Sequence, residues 1–487
     1  MLRVGWLTSR DLFKIVRDPQ KWAHPLVNRA VRSRTTPVEE FVAIFSPYWA
    51  GIAQATQVGP ASTTNAPQGS QRPDNQIMIS RRRFLERTAG ALAGTGAPAL
   101  LASYRPKIAV ILTEYTPSSH ADVWVTALLE GYDNGQPRTP SLQIVSMYTD
   151  QVSNNDMSRA MAAKHGFEIV RTIPEALLMD TGQLAVDGVL LMAEHGKYPV
   201  NAKAQILYPR YEFYSQIMDV YSQSRKVVPL FCDKHLSYDW EKAKWMYDES
   251  RALHFALMAG SSIPLTWRQP PLELDLETPV QKAVVAAFGP KESYGFHALE
   301  VLQCMVERRR GGEKGIAAVQ CVEGREVWKW TAHNDWSKHL LNVALERVEN
   351  RKPKLPQENV PEPILFVVDY LDGLQAAVYL LNGYITDWAF AARVQGRSDF
   401  ASTKFWSRMK KPWSHATGLT YQMEQLYLTG RAAYPVERTL LTTGALAALM
   451  DSSYQRNRRL ETPHLKVSYR ARKESLFNTG RVPATES

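Results

Sequence analysis

Apolar and polar residues alternate along the chain in a regular pattern that begins at Arg105. Residues 107–112 form a short apolar run, as a buried parallel strand does, and residues 120–132 carry apolar side chains at helical spacing. Repeated units of this kind predict an α/β Rossmann-like domain with a doubly wound parallel sheet. The predicted strands cover 107–112, 142–148, 168–171, 187–193, 227–231 and 255–259, and the predicted helices 120–132, 156–165, 173–177, 211–224 and 238–253.

A different pattern follows Ser261, with longer helices and several strands in succession. Two of these strands are joined by Leu371-Asp372-Gly373, and Asp-Gly is a strong hairpin signal. This pattern predicts a second, α+β domain with a largely antiparallel sheet. We expect domains at 105–262 and 263–470 and a flexible tail at 471–487. The predicted elements of the second domain are helices at 294–309 and 437–453 and strands at 316–323, 364–370, 374–381 and 388–395.

The segment Ser80-Arg81-Arg82-Arg83-Phe84-Leu85 has the pattern of a twin-arginine export signal. A weakly apolar stretch rich in Gly and Ala follows it up to residue 102 and is too short to span a bilayer. Residues 78–104 therefore predict export through the Tat machinery to the periplasm, after folding in the cytoplasm. The alternative is an ordinary basic loop before a helix of small residues.

The export signal lies far from the first residue of the sequence. Residues 52–76 are rich in Gln, Thr, Pro, Ala and Ser, which is typical of disorder. Met78 stands two residues before Ser80, so we interpret residues 1–77 as a disordered or mis-assigned extension. The alternative is a genuine N-terminal module, because residues 38–49 are apolar enough for one short helix.

The charge and the cysteines narrow the classes of function. The formal net charge is +10, but residues 1–104 alone carry +7, so the body is nearly neutral and no nucleic-acid partner is predicted. The three cysteines have no CxxC spacing and predict neither disulfides nor a zinc site. Arg308 to Arg310 are expected at a solvated helix end. No segment of the body is apolar enough for a membrane span.

Ionisable residues follow four of the predicted parallel strands. The carboxyl ends of such strands meet at one edge of the sheet, where open α/β sheets bind ligands. The pattern favours a polar-ligand pocket or a divalent cation, although a satisfied hydrogen-bond network would look the same and no spacing assigns metal ligands. These residues are Glu114 and Tyr115, Asp150, Glu194 and His195, and Asp233, Lys234 and His235.

Three stretches resemble the Gfo/Idh/MocA family of glucose–fructose oxidoreductase and inositol dehydrogenase type. They begin at AAKHGFEIVRTIPEALL, VVPLFCDKHLSYDWEKAKW and LYLTGRAAYPVERTLL, and the resemblance covers roughly residues 105–469. It implies an oxidoreductase that binds NAD or NADP in the first domain and a sugar or polyol in the crevice. It also allows a homo-oligomer.

The phosphate loop departs from the family pattern G-x-G-x-x-G. Here the sequence is LTEYTPSSHADV, with no glycine to let a pyrophosphate approach the backbone, and Glu114 adds a negative charge. Ser118, Ser119 and His120 are the local residues left to hold phosphate. The family's E-K-P motif appears as Asp233-Lys234-His235, and its D-x-G-x-H helix start begins with Ser293 instead of Asp.

The resemblance implies a role for each matching residue. Lys234 and His297 would be catalytic, with the histidine taking a hydroxyl proton and the lysine stabilising developing charge. Glu114, Ser118, Ser119, His120, Asp150, Glu194 and His195 would face the cofactor, and Asp233, His235, Tyr294, Trp267 and Arg268 the substrate. Two alternatives stay open: a sugar-binding protein or lyase- or isomerase-type enzyme that has lost dinucleotide binding, and a non-catalytic structural or interaction protein.

We predict that residues 1–77 are dispensable for folding, because their composition cannot form a core. A chain that starts near Tyr104 should melt at the same temperature as the full chain in a thermal unfolding experiment. A melting temperature lowered by many degrees, or loss of solubility, would show that the extension packs on the body.

Overall fold

The computed structural model describes residues 104–408 and 410–482. The proposed export signal, the extension at 1–77 and the short helix considered at 38–49 lie outside the described residues. The described part of the chain forms two large sheets and a two-stranded one that pairs Tyr132–Asp133 with Pro137–Arg138, and the carboxyl edge of the first large sheet carries the residues of interest.

The first sheet has six parallel strands in the order β3-β2-β1-β4-β5-β6, which is the doubly wound order of a Rossmann-like domain. The predicted fold class is confirmed here, with strand ends shifted by up to three residues. The elements are β1 Lys107–Leu112, α1 His120–Glu130, β2 Gln143–Thr149, α2 Ser158–His165, β3 Glu168–Val170, α3 Ile173–Leu178, β4 Gly188–Met192, α4 Arg210–Ser224, β5 Leu230–Asp233, α5 Trp240–Ala252 and β6 Leu257–Gly260.

The second sheet has eight strands, and all but one of its neighbouring pairs are antiparallel, as the sequence predicts. The Asp372-Gly373 turn joins the predicted hairpin β9–β10. The elements are β7 Val280–Ala287, α6 Ser293–Val306, β8 Ile316–Glu323, α7 Arg325–Ala332, α8 Asp335–Leu345, β9 Ile364–Tyr370, β10 Gln375–Leu380, β11 Trp388–Val394, β12 Ala401–Phe405, α9 Thr417–Thr429 and α10 Glu437–Tyr454, with short edge strands Arg268–Gln269 and Leu460–Glu461.

The sequence analysis assigned no element to β7, β12, α7, α8 or α9. Strand β12 (ASTKF) is mostly polar, yet every residue in it is buried. Its environment comes from the neighbouring strands of the sheet and from helix α8, so the local pattern carries little of the information.

Both faces of the second sheet are covered by helices. One face packs on α6 and α10 and the other on α7 and α8. Burial of both faces explains why the central strands β7, β9, β10 and β11 are largely apolar and do not alternate.

Helix α9 ties the second segment of the chain back to the first sheet. The Glu424 carboxylate accepts hydrogen bonds from the Tyr132 hydroxyl at 2.5 Å and from the Ser141 backbone N–H at 2.6 Å. The Tyr427 hydroxyl donates to the Val189 carbonyl at 2.9 Å. Residues 417–429 therefore pack on the domain predicted to end at 262.

The sequence analysis expected the arginine run at 308–310 to lie at a solvated helix end, and the structure shows that this expectation is wrong. Arg308 and Arg309 are buried, and Arg309 forms ion pairs of 2.7 Å with both Glu313 and Asp372. The buried carboxylates fix the guanidinium in the interior, where an unpaired cation would be costly.

The described part of the tail lies against the body of the protein. The Arg308 guanidinium donates to the Arg472 carbonyl at 2.8 Å, and the Asn478 N–H donates to the Leu265 carbonyl at 3.1 Å. None of the helices within 104–408 and 410–482 combines the length and apolar character needed to cross a bilayer.

Candidate functional site

Ionisable side chains gather where strands β4 and β5 end and helix α6 begins. We call this set the edge cluster and define it by its members: His120, Glu194, His195, Arg210, Asp233, Lys234, His235, Glu292 and His297. Seven of them were predicted from the sequence to lie at this edge or to match the family's site, and Arg210 and Glu292 were not.

Glu194 is the centre of the edge cluster. Its carboxylate forms an ion pair with Arg210 and lies 3.4 Å from the Lys234 ammonium. All three side chains are buried, with side-chain exposures of 7%, 0% and 3%. Burial alone would raise the pKa of Glu194, but Lys234 and Arg210 together hold that pKa below its usual range. Glu194 is therefore a permanent carboxylate that fixes two cations.

Lys234 connects the two domains. It follows strand β5 directly, with a backbone φ of +65°, in the left-handed region that a residue with a side chain seldom adopts. The ammonium group donates to the Ser293 carbonyl at the start of α6, at 3.2 Å. Backbone strain of this kind is typical of functional sites, and here it aims the lysine from the strand end toward the helix start.

A cavity of about 260 Å³ lies between these strand ends and the start of α6. Its size is close to the lower end, about 300 Å³, of ordinary ligand pockets. Two polar atoms of its lining, Nδ1 of His235 and Oε1 of Glu292, are buried and have no hydrogen-bond partner among the described residues. Buried polar atoms are normally paired, so these two are available to a ligand. The lining residues are Glu194, Ala204, Ile206, Tyr208, His235, Pro290, Lys291, Glu292 and Ser293.

Glu292 is suited to exchange protons near neutral pH. Burial raises its pKa to about 7, although a hydrogen bond from the Ile206 N–H at 2.9 Å opposes the rise. A carboxyl group with such a pKa is present in both protonation states at neutral pH, which is the condition for efficient general acid–base catalysis.

Three histidines of the edge cluster, His195, His235 and His297, differ from Glu292 in being held neutral. Burial, followed by the charge of His120, lowers the pKa of His195 to about 4. Burial and then Arg210 lower the pKa of His235, and burial and then Lys234 lower that of His297. Neutral imidazoles can accept or donate one hydrogen bond each and can bind hydroxyl groups.

His297 lies on α6, about one turn after Ser293, whose carbonyl accepts the hydrogen bond from Lys234. Its Nδ1 is 2.6 Å from the Ser261 hydroxyl, which follows strand β6, and its ring packs edge-on against Tyr294 at 6.0 Å. The ring of Tyr294 stacks on Trp388. The structure thus brings Lys234, His297 and Tyr294 to one region, as the sequence predicts, and leaves Nε2 of His297 for a ligand.

The loop after β1 is organised by its own side chains. The Ser119 hydroxyl caps α1 and accepts from the N–H groups of Thr116 and Asp122, and the Asp122 carboxylate accepts from the Ser118 N–H at 2.9 Å. In a dinucleotide-binding loop, N–H groups at these positions approach a pyrophosphate. Here three of them are already bonded within the loop.

Tyr115 was expected among the residues that face a ligand at the carboxyl edge of the sheet, and this expectation is wrong. Its side chain is fully buried, and its hydroxyl bonds to Thr126 at 2.7 Å, so it belongs to the core and not to the crevice. Glu114, by contrast, is partly exposed and accepts from the Thr116 hydroxyl at 3.2 Å.

Asp150 lies at the end of β2, where a Rossmann-like domain binds a ribose hydroxyl, but its carboxylate already has hydrogen-bond partners in the protein. Its two carboxylate oxygens accept from the hydroxyls of Tyr148 at 2.8 Å and Tyr198 at 2.6 Å. The loop that carries Tyr198 is fixed there by two hydrogen bonds between Gln151 and Lys197, at 2.9 and 3.1 Å. This loop follows β4 and covers the end of β2.

The residues present therefore do not fit a dinucleotide. The phosphate loop has no glycine, its donors are used, and the acidic residue for a ribose is held by two tyrosines. A metal ion finds no set of ligands either: the residues that the structure describes contain no group of three or more His, Cys, Asp or Glu able to hold one.

Trp267 and Arg268 lie apart from the edge cluster. Arg268 pairs with Glu273 at 2.9 Å and donates to nearby carbonyls, while Trp267 is buried against the ring of Trp406. Their predicted contact with a substrate stays a prediction.

Sequence reasoning missed Arg210 and Glu292. Arg210 starts helix α4 with no motif around it, and its partner Glu194 follows a different element. Glu292 carried a weak signal, because an acidic residue directly before helix α6 lies beside the matched Ser293.

The fold and the edge cluster define a two-domain protein with a Rossmann-like sheet and a cavity lined by ionisable residues at its carboxyl edge. No protein-family model matches the chain, and no curated protein matches it either.

Solved structures do resemble it. GenD2 from gentamicin A biosynthesis, in complex with NAD, is 14% identical, covers 76% of this chain and 99% of its own, and has a TM-score of 0.46. Myo-inositol 2-dehydrogenase from Lactobacillus plantarum is 9% identical, covers 74% of this chain and 99% of its own, and has a TM-score of 0.45. Scyllo-inositol dehydrogenase from Lactobacillus casei with bound NAD(H) and scyllo-inositol is 11% identical, covers 74% of this chain and 99% of its own, and has a TM-score of 0.44. Likeness at this level transfers no residue role, so the roles below come from the side chains themselves.

We predict that Glu292→Gln stabilises the protein above neutral pH. The folded protein retains a proton on Glu292 up to a pKa of about 7, whereas an unfolded glutamate releases it near about 4.3. The wild-type free energy of unfolding therefore loses up to about 4 kcal/mol from this group as pH rises between these values. The glutamine can still accept from Ile206 and has no such loss.

Urea unfolding of both proteins at pH 4 and pH 8 measures this difference. The advantage of Glu292→Gln over wild type should grow with pH, while exposed Glu168→Gln should give the same small difference at both. An unchanged advantage at the two pH values would contradict the raised pKa.

Proposed function

We propose that this chain is an enzyme that binds a sugar or polyol in the cavity of the edge cluster and transfers protons on it without net oxidation. The observation that carries this proposal is Glu292, whose burial raises its pKa to about 7 in a cavity that also presents an unpartnered His235 nitrogen. Structural carboxylates are normally paired, whereas this one has a free oxygen.

A small polyhydroxylated ligand suits the lining of the cavity. The carboxylates and neutral imidazoles offer hydrogen-bond acceptors and donors for hydroxyl groups, and Tyr208 and Ile206 supply an apolar wall. The three stretches of sequence that resemble the Gfo/Idh/MocA family support the same class of substrate.

Each group of the site has a distinct chemical role in the proposal. Glu292 gives or takes the proton, because it is the carboxyl group that titrates near neutral pH. Lys234, fixed by Glu194, stabilises negative charge that develops on a substrate oxygen. His297 binds a substrate hydroxyl through Nε2, with Ser261 holding its ring.

Isomerase- or lyase-type chemistry is favoured over hydride transfer. A dehydrogenase of this fold needs a dinucleotide along the carboxyl edge, and that route is occupied by the self-bonded loop after β1 and by the loop that holds Asp150. Proton transfer needs only residues that the chain itself provides.

An NAD- or NADP-dependent oxidoreductase is the second candidate. The arrangement of Lys234 after a strand and His297 at a helix start favours it, because these match the family's catalytic positions. A nicotinamide held there would supply a hydride acceptor, and the protein would have to enclose it during folding.

We predict that Lys234→Met and His297→Gln lower turnover by about a hundredfold or more, because each removes a positioned charge or hydrogen-bonding group from the reacting centre. The measurement is the initial rate, without added nucleotide, on a sugar or polyol that the wild type converts. The glutamine at 297 can keep the bond to Ser261, which preserves the fold.

Surface Lys242→Met, which removes a pair with Glu212, is the matched control and should keep the wild-type rate. Circular dichroism checks that each variant is folded. Wild-type rates in both site variants would refute the assigned roles, and a rate that appears only with added NAD or NADP would favour the second candidate.

We also propose that the protein is exported to the periplasm through the Tat route, on the basis of the twin-arginine pattern at 80–85. Replacing both Arg81 and Arg82 by lysine should retain the full chain in the cytoplasm, because this route depends on the arginine pair. Cell fractionation measures the distribution. An unchanged distribution of the variant would contradict Tat export.

A further inference from the structure

We infer that His120, oriented by Asp233, is a second proton-transfer residue of this site. The inference rests on the proposed function and adds to it a base held beside His195 in the edge cluster. In the family pattern the glycine-rich loop, which binds a cofactor and transfers no proton, ends just before this position.

The geometry is that of an imidazole held by a carboxylate. Nδ1 of His120 lies 2.5 Å from Oδ2 of Asp233. Asp233 ends strand β5 and is buried, with a side-chain exposure of 2%, whereas the His120 side chain is 18% exposed. The carboxylate is therefore in the interior, and the ring is partly exposed to solvent.

The hydrogen bond between His120 and Asp233 determines which ring nitrogen of His120 is available to a ligand. A carboxylate accepts, so Nδ1 carries the proton and Nε2 is left as the basic nitrogen. The described residues give Nε2 of His120 no hydrogen bond. An aspartate that fixes the tautomer of a histidine and stabilises its protonated form is the arrangement that acid–base enzymes use to make an imidazole an effective base.

The ring of His120 is fixed in position by its neighbours. Trp124, one turn further along α1, packs edge-on at 4.7 Å, and His195 packs edge-on from the other side at 4.9 Å. His195 directly follows Glu194, so the ring of His120 borders the centre of the edge cluster. A base held this rigidly loses little orientational freedom when it reacts.

Two proton-transfer groups match the needs of a redox-neutral reaction. His120 Nε2 takes a proton from a carbon that bears a hydroxyl group next to the sugar carbonyl. The electron pair of the broken C–H bond forms the enediolate double bond, and the carbonyl π pair moves to its oxygen, where the Lys234 ammonium stabilises the charge. Glu292 moves a proton between the two oxygens, and return of a proton to the former carbonyl carbon gives the isomer.

The alternative role of this pair is structural, as a link between α1 and β5. A link of that kind would affect stability and ligand binding, whereas a base affects the rate of C–H cleavage with binding unchanged. The experiment must therefore measure both quantities on the same variants.

The test uses the full chain in D₂O with D-glucose, D-fructose and D-glucuronate as probes. Proton NMR follows the loss of substrate C–H signal, and calorimetry gives the Kd of each probe. We expect wild type to exchange at least one probe, and His120→Gln and Asp233→Asn to bind it with unchanged Kd and exchange it at least about a hundredfold more slowly. His165→Gln, which alters a surface histidine beside Glu130, should exchange at the wild-type rate.

The outcomes separate the two claims. Wild-type exchange rates in both His120→Gln and Asp233→Asn would overturn this inference and leave the proposed function standing. A weakened Kd that accounts for the whole loss of rate would assign the pair a structural role and also overturn it. A wild-type protein that neither binds nor exchanges any of the three probes would overturn the proposed function, and this inference with it.

Discussion

The buried ion pairs of Glu194 with Arg210 and Lys234 are the interaction on which the rest of the site depends. A carboxylate taken out of water is costly unless cations and hydrogen bonds replace its hydration, and loss of one partner typically costs about 3–5 kcal/mol. Here the partners come from helix α4 and from the end of strand β5, and Lys234 also reaches the first turn of α6. Pairing Glu194 brings helix α4 and the end of strand β5 together, and the bond from Lys234 to the Ser293 carbonyl holds the start of α6 beside them, next to the cavity.

The same constraint shapes the chemistry. With Glu194 ionised and Lys234 and Arg210 both committed to it, the polar atoms left over in the cavity are those of Glu292 and His235. His120, held by Asp233, lies beside His195 in the same cluster. The loop groups that would meet a dinucleotide in a Rossmann-like domain are bonded here to other residues of the chain, which supports the proposed proton transfer.

The sequence analysis predicted the features that local rules govern. Strand and helix periodicity located the parallel sheet, Asp372-Gly373 located the hairpin, and the rule that parallel strands end at one edge brought Glu194, Asp233 and Lys234 together. The predictions were wrong or missing where the position of a residue depends on partners far away in the sequence. Arg309 is buried because Asp372 and Glu313 pair with it, and α9 packs on the first sheet through Glu424 and Tyr132, 292 residues apart. Arg210 and Glu292 gain their roles only from partners on other elements, which no local pattern reveals.

The account rests on the claim that the carboxyl edge serves proton transfer and has no place for a dinucleotide. Native mass spectrometry of the full chain, purified without denaturation, tests this most directly. The account predicts the mass of the polypeptide alone, both as purified and after incubation with NAD or NADP at micromolar concentration. A stoichiometric mass increment equal to NAD or NADP, retained through purification, would contradict it.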